Sequence, residues 1–144
     1  MKRLFTLLIA IFAFTILSFA QKSAFTVQTG YSKSTGLVSA EYQFGKLAVT
    51  AGWMPITQKS ISSFSATLTA YTEKWNQSAW YASGGFASNM YRSEDILEPM
   101  LFLNVGHRKH IWNRFSVKGG VGYGWCKYEH YPTLELTARW SFGI

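Results

Sequence analysis

Residues 134–144 read LELTARWSFGI and alternate strictly between apolar side chains and polar or small ones. The even positions carry Leu, Leu, Ala, Trp, Phe and Ile, whereas the odd positions carry Glu, Thr, Arg, Ser and Gly. Successive side chains of a β-strand point to opposite faces, so this period of two predicts a strand with one apolar face and one polar face. Such a strand separates two different environments.

The first twenty residues have a different pattern. Two basic residues precede an apolar run from Leu4 to Leu17, which is followed by the small-x-small triplet SFA. This order is typical of a secretory signal peptide, so we expect cleavage after Ala20 and a mature chain of residues 21–144. A retained membrane helix is the alternative, although the run has the minimum length for a span.

Composition limits the classes of partner and cofactor. Without residues 1–20, 12 basic residues face 7 acidic ones, and the net charge falls from +7 to +5. There is no basic cluster or basic helix face, so we expect no nucleic-acid partner and instead contact with anionic lipid or lipopolysaccharide. Cys126 is the single cysteine and cannot form an intramolecular disulfide. Walker, Rossmann and zinc-ligand patterns are missing, so no cofactor is expected.

Segments with a period of two recur along the mature chain, separated by Gly, Lys, Asn, Pro and Ser. They predict one all-β domain, a closed up-and-down antiparallel barrel of eight strands. The predicted strands are Ala24–Tyr31, Leu37–Phe44, Leu47–Met54, Ser63–Thr72, Ala79–Met90, Met100–His107, Arg114–Cys126 and Thr133–Ile144.

Two kinds of closed barrel fit this pattern. A secreted soluble barrel of the lipocalin or avidin kind places its apolar face inside, around an apolar ligand, whereas a transmembrane barrel turns that face towards lipid. A solvated exterior would carry many Lys and Glu residues. The polar face here consists mainly of Gly, Ser and Thr, which fit the narrow lumen of an eight-stranded barrel, so the transmembrane barrel is favoured.

A few charged residues belong to the predicted lumen face. Isolated charges at that depth are costly, so we expect them to pair in a hydrogen-bonded network. A gated ion path is one interpretation of such a network. A polar plug that fixes strand register is favoured, because eight strands leave no aqueous channel. The predicted lumen network consists of Glu41, Arg108, Lys118, Glu135 and Arg139.

Aromatic residues concentrate near the predicted strand ends, as expected of rings at two membrane interfaces. With both termini on the periplasmic side, one belt lies at the outer loops and the other at the inner turns. The outer belt comprises Tyr31, Trp53, Tyr91, Trp125 and Tyr128; the inner belt comprises Tyr42, Phe44, Tyr71, Trp75, Trp80, Trp112 and Phe142.

The three histidines do not predict a common site. His107 and His110 fall in or beside the inner turn expected around residues 109–113, whereas His130 falls in an outer loop. Some eight-stranded barrels modify lipid A with a His, a nearby Ser and an acidic residue. His130 follows Glu129 near the outer rim, but no His-x-Ser motif is present, so we predict no catalytic or metal-binding residues.

The chain resembles the small eight-stranded outer-membrane β-barrel proteins of Gram-negative bacteria, and the resemblance extends over residues 21–144. Its most specific part is a C-terminal assembly signal, in which a polar residue precedes a glycine by two positions and an aromatic residue lies third from the end. Thr137 and Phe142 match it, whereas Arg139 replaces the usual glycine and Ile144 replaces the usual final Phe. The apolar residues of the signal would be Trp140, Phe142 and Ile144.

The resemblance implies insertion by the outer-membrane assembly machinery. We therefore predict a non-enzymatic outer-membrane protein of structural, adhesive or interaction type, with no open pore because eight strands leave no aqueous channel. The two alternatives are the secreted soluble barrel and, third, a lipid A-modifying enzyme. The sequence predicts no particular oligomeric state.

Overall fold

The computed structural model describes residues 23–32, 37–54, 60–91, 97–127 and 130–143. Eight antiparallel strands form a closed barrel in which each strand pairs with its neighbours in the chain, so the predicted fold is confirmed. The predicted signal peptide and residues Tyr128, Glu129 and Ile144 lie outside the described residues. The strands are β1 (Ser23–Ser32), β2 (Val38–Phe44), β3 (Leu47–Met54), β4 (Ser60–Tyr71), β5 (Ala79–Tyr91), β6 (Leu97–Trp112), β7 (Phe115–Trp125) and β8 (His130–Gly143).

Pairing between β1 and β8 closes the barrel. Phe25 pairs with Phe142, and Val27 pairs with Trp140. The alternating segment that ends the chain therefore supplies the closing strand. Closure leaves no free edge in the sheet, so the backbone groups of the strands bond to one another all the way around.

The alternation of side chains sorts the residues into a polar interior and an apolar exterior. Along β8, Glu135 and Thr137 are buried in the lumen, whereas Leu134 and Leu136 are exposed. The other strands follow the same rule because their side chains have the same period of two. Large apolar side chains thus cover the outside of the barrel while charged ones fill its inside, the reverse of a soluble domain.

The two ends of the barrel differ in their connections. The turn end carries Gly45-Lys46, residues 72–78 and Asn113-Arg114, together with the start of β1 and the end of β8. Gly45 has φ 62° and Asn113 has φ 41°, values that suit these residue types in tight turns. The opposite end is called the loop end. Most of its connections fall outside the described residues, namely 33–36, 55–59, 92–96 and 128–129.

The longest strand, β6, departs from the sequence prediction. An inner turn was expected around residues 109–113, but β6 continues to Trp112 and the turn is Asn113-Arg114. His107 and His110 therefore lie within the strand. The basic residues of this stretch suggested a turn. They instead alternate as a strand requires, since Arg108 is buried in the lumen and Lys109 is exposed.

Candidate functional site: the polar lumen

All five charged residues of the predicted network lie inside the barrel, each 2% exposed or less. They come from β2, β6, β7 and β8, and they face the lumen because each occupies a polar position of its strand's alternation. The lumen therefore brings together residues from distant parts of the chain. The network consists of two carboxylates, Glu41 and Glu135, and three cations, Arg108, Lys118 and Arg139.

The carboxylate of Glu41 binds three partners. Arg139 donates from Nη2 to Oε1 of Glu41 and forms an ion pair with it. Oε2 accepts hydrogen bonds from the Thr50 hydroxyl at 3.2 Å and from the Tyr71 hydroxyl at 2.9 Å. A buried carboxylate is stable only when such partners replace its lost hydration. Glu41 thus ties β2, β3, β4 and β8 together.

The second carboxylate, Glu135, is held in the same way. Its Oε1 lies 3.0 Å from Nζ of Lys118, and its Oε2 accepts a hydrogen bond from the Tyr81 hydroxyl at 2.8 Å. The Lys118 ammonium also lies 4.2 Å from the centre of the Tyr81 ring. A desolvated cation is stabilised by the face of an aromatic ring at this distance. Strands β5, β7 and β8 are joined here.

Tyr71 donates a hydrogen bond to Glu41, and its ring faces all three lumen cations. Its ring centre is 4.2 Å from the Arg108 guanidinium, 5.7 Å from that of Arg139 and 6.0 Å from the Lys118 ammonium. Placing Tyr71 in the inner aromatic belt was therefore wrong. The signal was present in the sequence, because Tyr71 continues the lumen-facing series Thr67 and Thr69 along β4.

Arg108 anchors the connection between β4 and β5. Its guanidinium donates to the carbonyl oxygens of Lys74 at 2.6 Å, Gln77 at 3.2 Å and Glu73 at 3.4 Å. It also donates to Oε1 of Gln43 at 2.7 Å. These carbonyl groups solvate the one lumen cation that lacks an ion pair among the described residues. Arg108 thereby holds the connection between β4 and β5 against this end of the barrel.

Trp75 differs from the other tryptophans predicted for the belts. It belongs to the turn that Arg108 holds, and its side chain is partly buried. A Cβ atom placed on the lumen-facing Gly143 would lie 2.7 Å from Cζ2 of Trp75. The indole therefore packs over the turn end of the lumen, where the absence of a side chain at Gly143 makes room for it.

Two paired glycines make room for the Tyr81 side chain inside the lumen. Gly106 of β6 and Gly120 of β7 are register partners, and Gly120 pairs in turn with Glu135 of β8. A Cβ atom on Gly106 would lie 2.6 Å from the Tyr81 hydroxyl oxygen, and one on Gly120 would be closer still. The missing side chains allow Tyr81 to extend from β5 to Glu135. Sequence reasoning missed this role of Tyr81.

An apolar cluster lies in the lumen near the loop end. Ala87, Met100 and Phe102 form a buried cluster against which Cys126 packs. The sequence prediction did not include this cluster, because Met100 and Phe102 occupy polar-face positions of β6. Phe102 fits there because Gly85 faces it from β5, where a Cβ atom would lie 3.0 Å from its ring. Ion pairs thus fill the middle of the lumen, and the apolar cluster lies beside them towards the loop end.

Most of the other predicted belt residues point outwards, whereas Tyr128 and the side chain of Tyr91 lie outside the described part of the structure. Six are exposed large aromatic side chains on the outer surface, and Trp140 and Phe142 of the predicted assembly signal are exposed beside them. Ile144 lies outside the described residues. The six exposed aromatic residues are Tyr31, Trp53 and Trp125 towards the loop end, and Tyr42, Trp80 and Trp112 towards the turn end.

The histidines lie apart from one another. His107 contacts Trp80 edge to face, with ring centres 4.9 Å apart. The ring centres of His130 and Tyr123 are 5.9 Å apart. Within the described ranges, no three His, Cys, Asp or Glu side chains lie close enough to hold a metal ion. The described residues also contain no helix long and apolar enough to cross a membrane. The prediction that the chain has no catalytic site stays a prediction.

Comparison of the chain with protein-family models, with curated proteins and with solved structures finds no match. The resemblance to small outer-membrane barrels thus depends on the strand pattern and on the residues at the end of the chain. The geometry of the lumen and of the outer surface is the remaining basis for a function.

Proposed function

We propose that the chain is an outer-membrane β-barrel protein of structural, adhesive or interaction type, with a lumen closed by its own side chains. The observation that carries this proposal is the reversal of polarity between the inside and the outside. Ion pairs are buried in the lumen, whereas large apolar side chains cover the outer surface. Lipid is the solvent that suits such an exterior.

The secreted soluble barrel needs the opposite arrangement. It would hold an apolar ligand in an apolar interior and expose polar side chains to water. Here Lys118 and Glu135 occupy the interior, and exposed leucines such as Leu101, Leu103 and Leu136 cover the outside. An exterior of this kind in water would aggregate, which favours the membrane protein.

The side chains inside the barrel support the proposal of a closed lumen. The two ion-paired carboxylates fill its middle, Phe102 and Met100 lie towards the loop end, and Trp75 packs over the turn end. An eight-stranded barrel is only wide enough for such side chains. The chain would therefore act through its loops, its outer surface or its mechanical presence in the membrane.

Cell fractionation combined with gel electrophoresis tests the proposal. The protein should be in the outer-membrane fraction and should migrate differently with and without boiling, because a folded barrel resists detergent. A soluble product with no heat-dependent migration would reject the membrane location. In planar bilayers the purified barrel should give no steady conductance, and a lasting ohmic current would contradict the closed lumen.

A further inference from the structure

A groove runs along the outer surface between β6, β7 and β8, with a volume of about 580 Å³. Gly119 forms part of its floor, and Trp80, Val105, Val121 and Leu136 contribute to its walls. A Cβ atom on Gly119 would make only ordinary van der Waals contacts, at 3.9 Å from its nearest neighbours, so no neighbouring group fills the position above this glycine. The lining is apolar apart from His107 and Glu135, and the Glu135 carboxylate is buried in the lumen against Lys118, so an acyl chain suits the groove.

One edge of this groove is basic. His107 pairs with Gly119 across β6 and β7, and Lys109 is the next outward-facing residue of β6 towards the turn end. Arg114 lies in the turn of the same hairpin, and its guanidinium is 5.8 Å from the centre of the Phe142 ring. Both Lys109 and Arg114 are exposed. Two cations therefore lie beyond the end of an apolar groove.

We propose that this groove binds one anionic phospholipid of the periplasmic leaflet, with an acyl chain over Gly119 and the phosphate beside Lys109. The inference rests on the proposed function, because it requires the barrel to span a membrane. Basic residues at a membrane surface each attract anionic lipid by about 1 kcal/mol. A neighbouring tryptophan such as Trp80 suits the level of the headgroups.

A second copy of the chain fits the groove less well. Dimer contacts between identical chains are usually two-fold symmetric, so a contact centred on Gly119 would bring the two Lys109 side chains towards each other. Like charges facing one another near lipid repel strongly. The charge at the edge of the groove thus favours a phosphate group over another barrel.

A comparable groove provides an internal control. It has a volume of about 740 Å³, includes Gly84 in its lining and lies between Leu68, Phe86 and Leu103 on the side of β4 to β6. None of the residues that line it is charged. It should accept acyl chains without any preference for anionic headgroups.

Native mass spectrometry of the detergent-extracted barrel tests the inference. The protein is mixed with equal amounts of phosphatidylglycerol and phosphatidylcholine, and the retained lipids are counted. The wild type should retain one phosphatidylglycerol in preference to phosphatidylcholine. Gly119→Leu should lose the bound lipid, whereas Lys109→Gln should lower the preference about fivefold, the factor that corresponds to one surface cation.

Matched variants separate this site from general effects. Gly84→Leu fills the uncharged groove, and Lys46→Gln removes a cation from another turn at the same end of the barrel. Both should bind phosphatidylglycerol like the wild type. Any of four results would overturn the inference. The wild type could retain the two lipids equally, or all four variants could lose lipid equally. Gly119→Leu or Lys109→Gln could lose no lipid, or the barrel could retain a second copy of itself in place of lipid.

The same preparation distinguishes this failure from failure of the proposed function. A protein that is never found in the outer-membrane fraction contradicts the proposed function itself. A membrane-inserted barrel with heat-dependent migration but no headgroup preference contradicts only the lipid site. Lys109→Gln changes an exposed residue, so it stays informative if Gly119→Leu does not fold.

Discussion

The ammonium of Lys118 lies 3.0 Å from the carboxylate of Glu135, and both side chains are shielded from solvent, with exposures of 0% and 1%. Tyr81 adds a hydrogen bond to this carboxylate from a third strand. A pair buried so completely joins the strands that carry it, and removing one partner leaves the other charge without compensation. Its contribution can be measured directly.

Glu135→Gln should lower the free energy of unfolding by about 3–5 kcal/mol, because Lys118 would stay buried without its counter-ion. The double variant Lys118→Met with Glu135→Gln should recover part of that loss, since no unpaired charge is left. Urea unfolding in detergent, followed by tryptophan fluorescence, measures both. Thr137→Val is the control in the same lumen and should change little. A double variant less stable than Glu135→Gln would contradict the buried pair.

The adjacent glycines Gly119 and Gly120 of β7 should respond unequally to the same substitution. Gly120→Ala should destabilise the barrel by about 1–3 kcal/mol, because its Cβ would collide with the Tyr81 hydroxyl that binds Glu135. Gly119→Ala, on the outer face, should stay within about 0.5 kcal/mol of the wild type. The unfolding midpoints of the two variants provide the comparison, and equal values would be incompatible with these face assignments.

Arg108→Gln should loosen the connection between β4 and β5 without unfolding the barrel. Each hydrogen bond from a charged group contributes about 1.5–3 kcal/mol, so losing several carbonyl partners should speed trypsin cleavage after Lys74 at least tenfold. Ser78→Ala removes only the hydrogen bond accepted from the His110 amide at 3.0 Å and should have a smaller effect. Cleavage rates that do not differ from the wild type would show that Arg108 does not hold the turn.

A charge on the outer face distinguishes lipid from water as the outer solvent. Leu103 is 60% exposed in the middle of β6. Leu103→Lys should cost about 2–4 kcal/mol in a bilayer and reduce the folded outer-membrane fraction. Asn76→Lys in the exposed turn should insert normally. If the barrel were soluble, Leu103→Lys would be harmless or would improve solubility, and that result would oppose a membrane location.

The period of two was sufficient to predict eight strands and their faces, apart from the extension of β6 to Trp112, because alternation determines the face on which each side chain lies. It placed Tyr71 and Tyr81 on the lumen side of their strands, but it could not show that rings of this size fit inside a narrow lumen. Gly106 and Gly120 become meaningful only once the register places them together. The position of Trp75 over the lumen could not be predicted either, because the turn that carries Trp75 is held by Arg108, which is distant in sequence.

Glu41 and Arg139 are separated by 98 positions in the chain, yet they form one ion pair across the closed lumen. Contacts of such high sequence separation slow folding, because a long loop must close before they form. β8 brings both Glu135 and Arg139, so neither ion pair can form before this strand arrives. β8 therefore makes assembly all-or-none, because a barrel that lacks this strand has a charged interior without its partners.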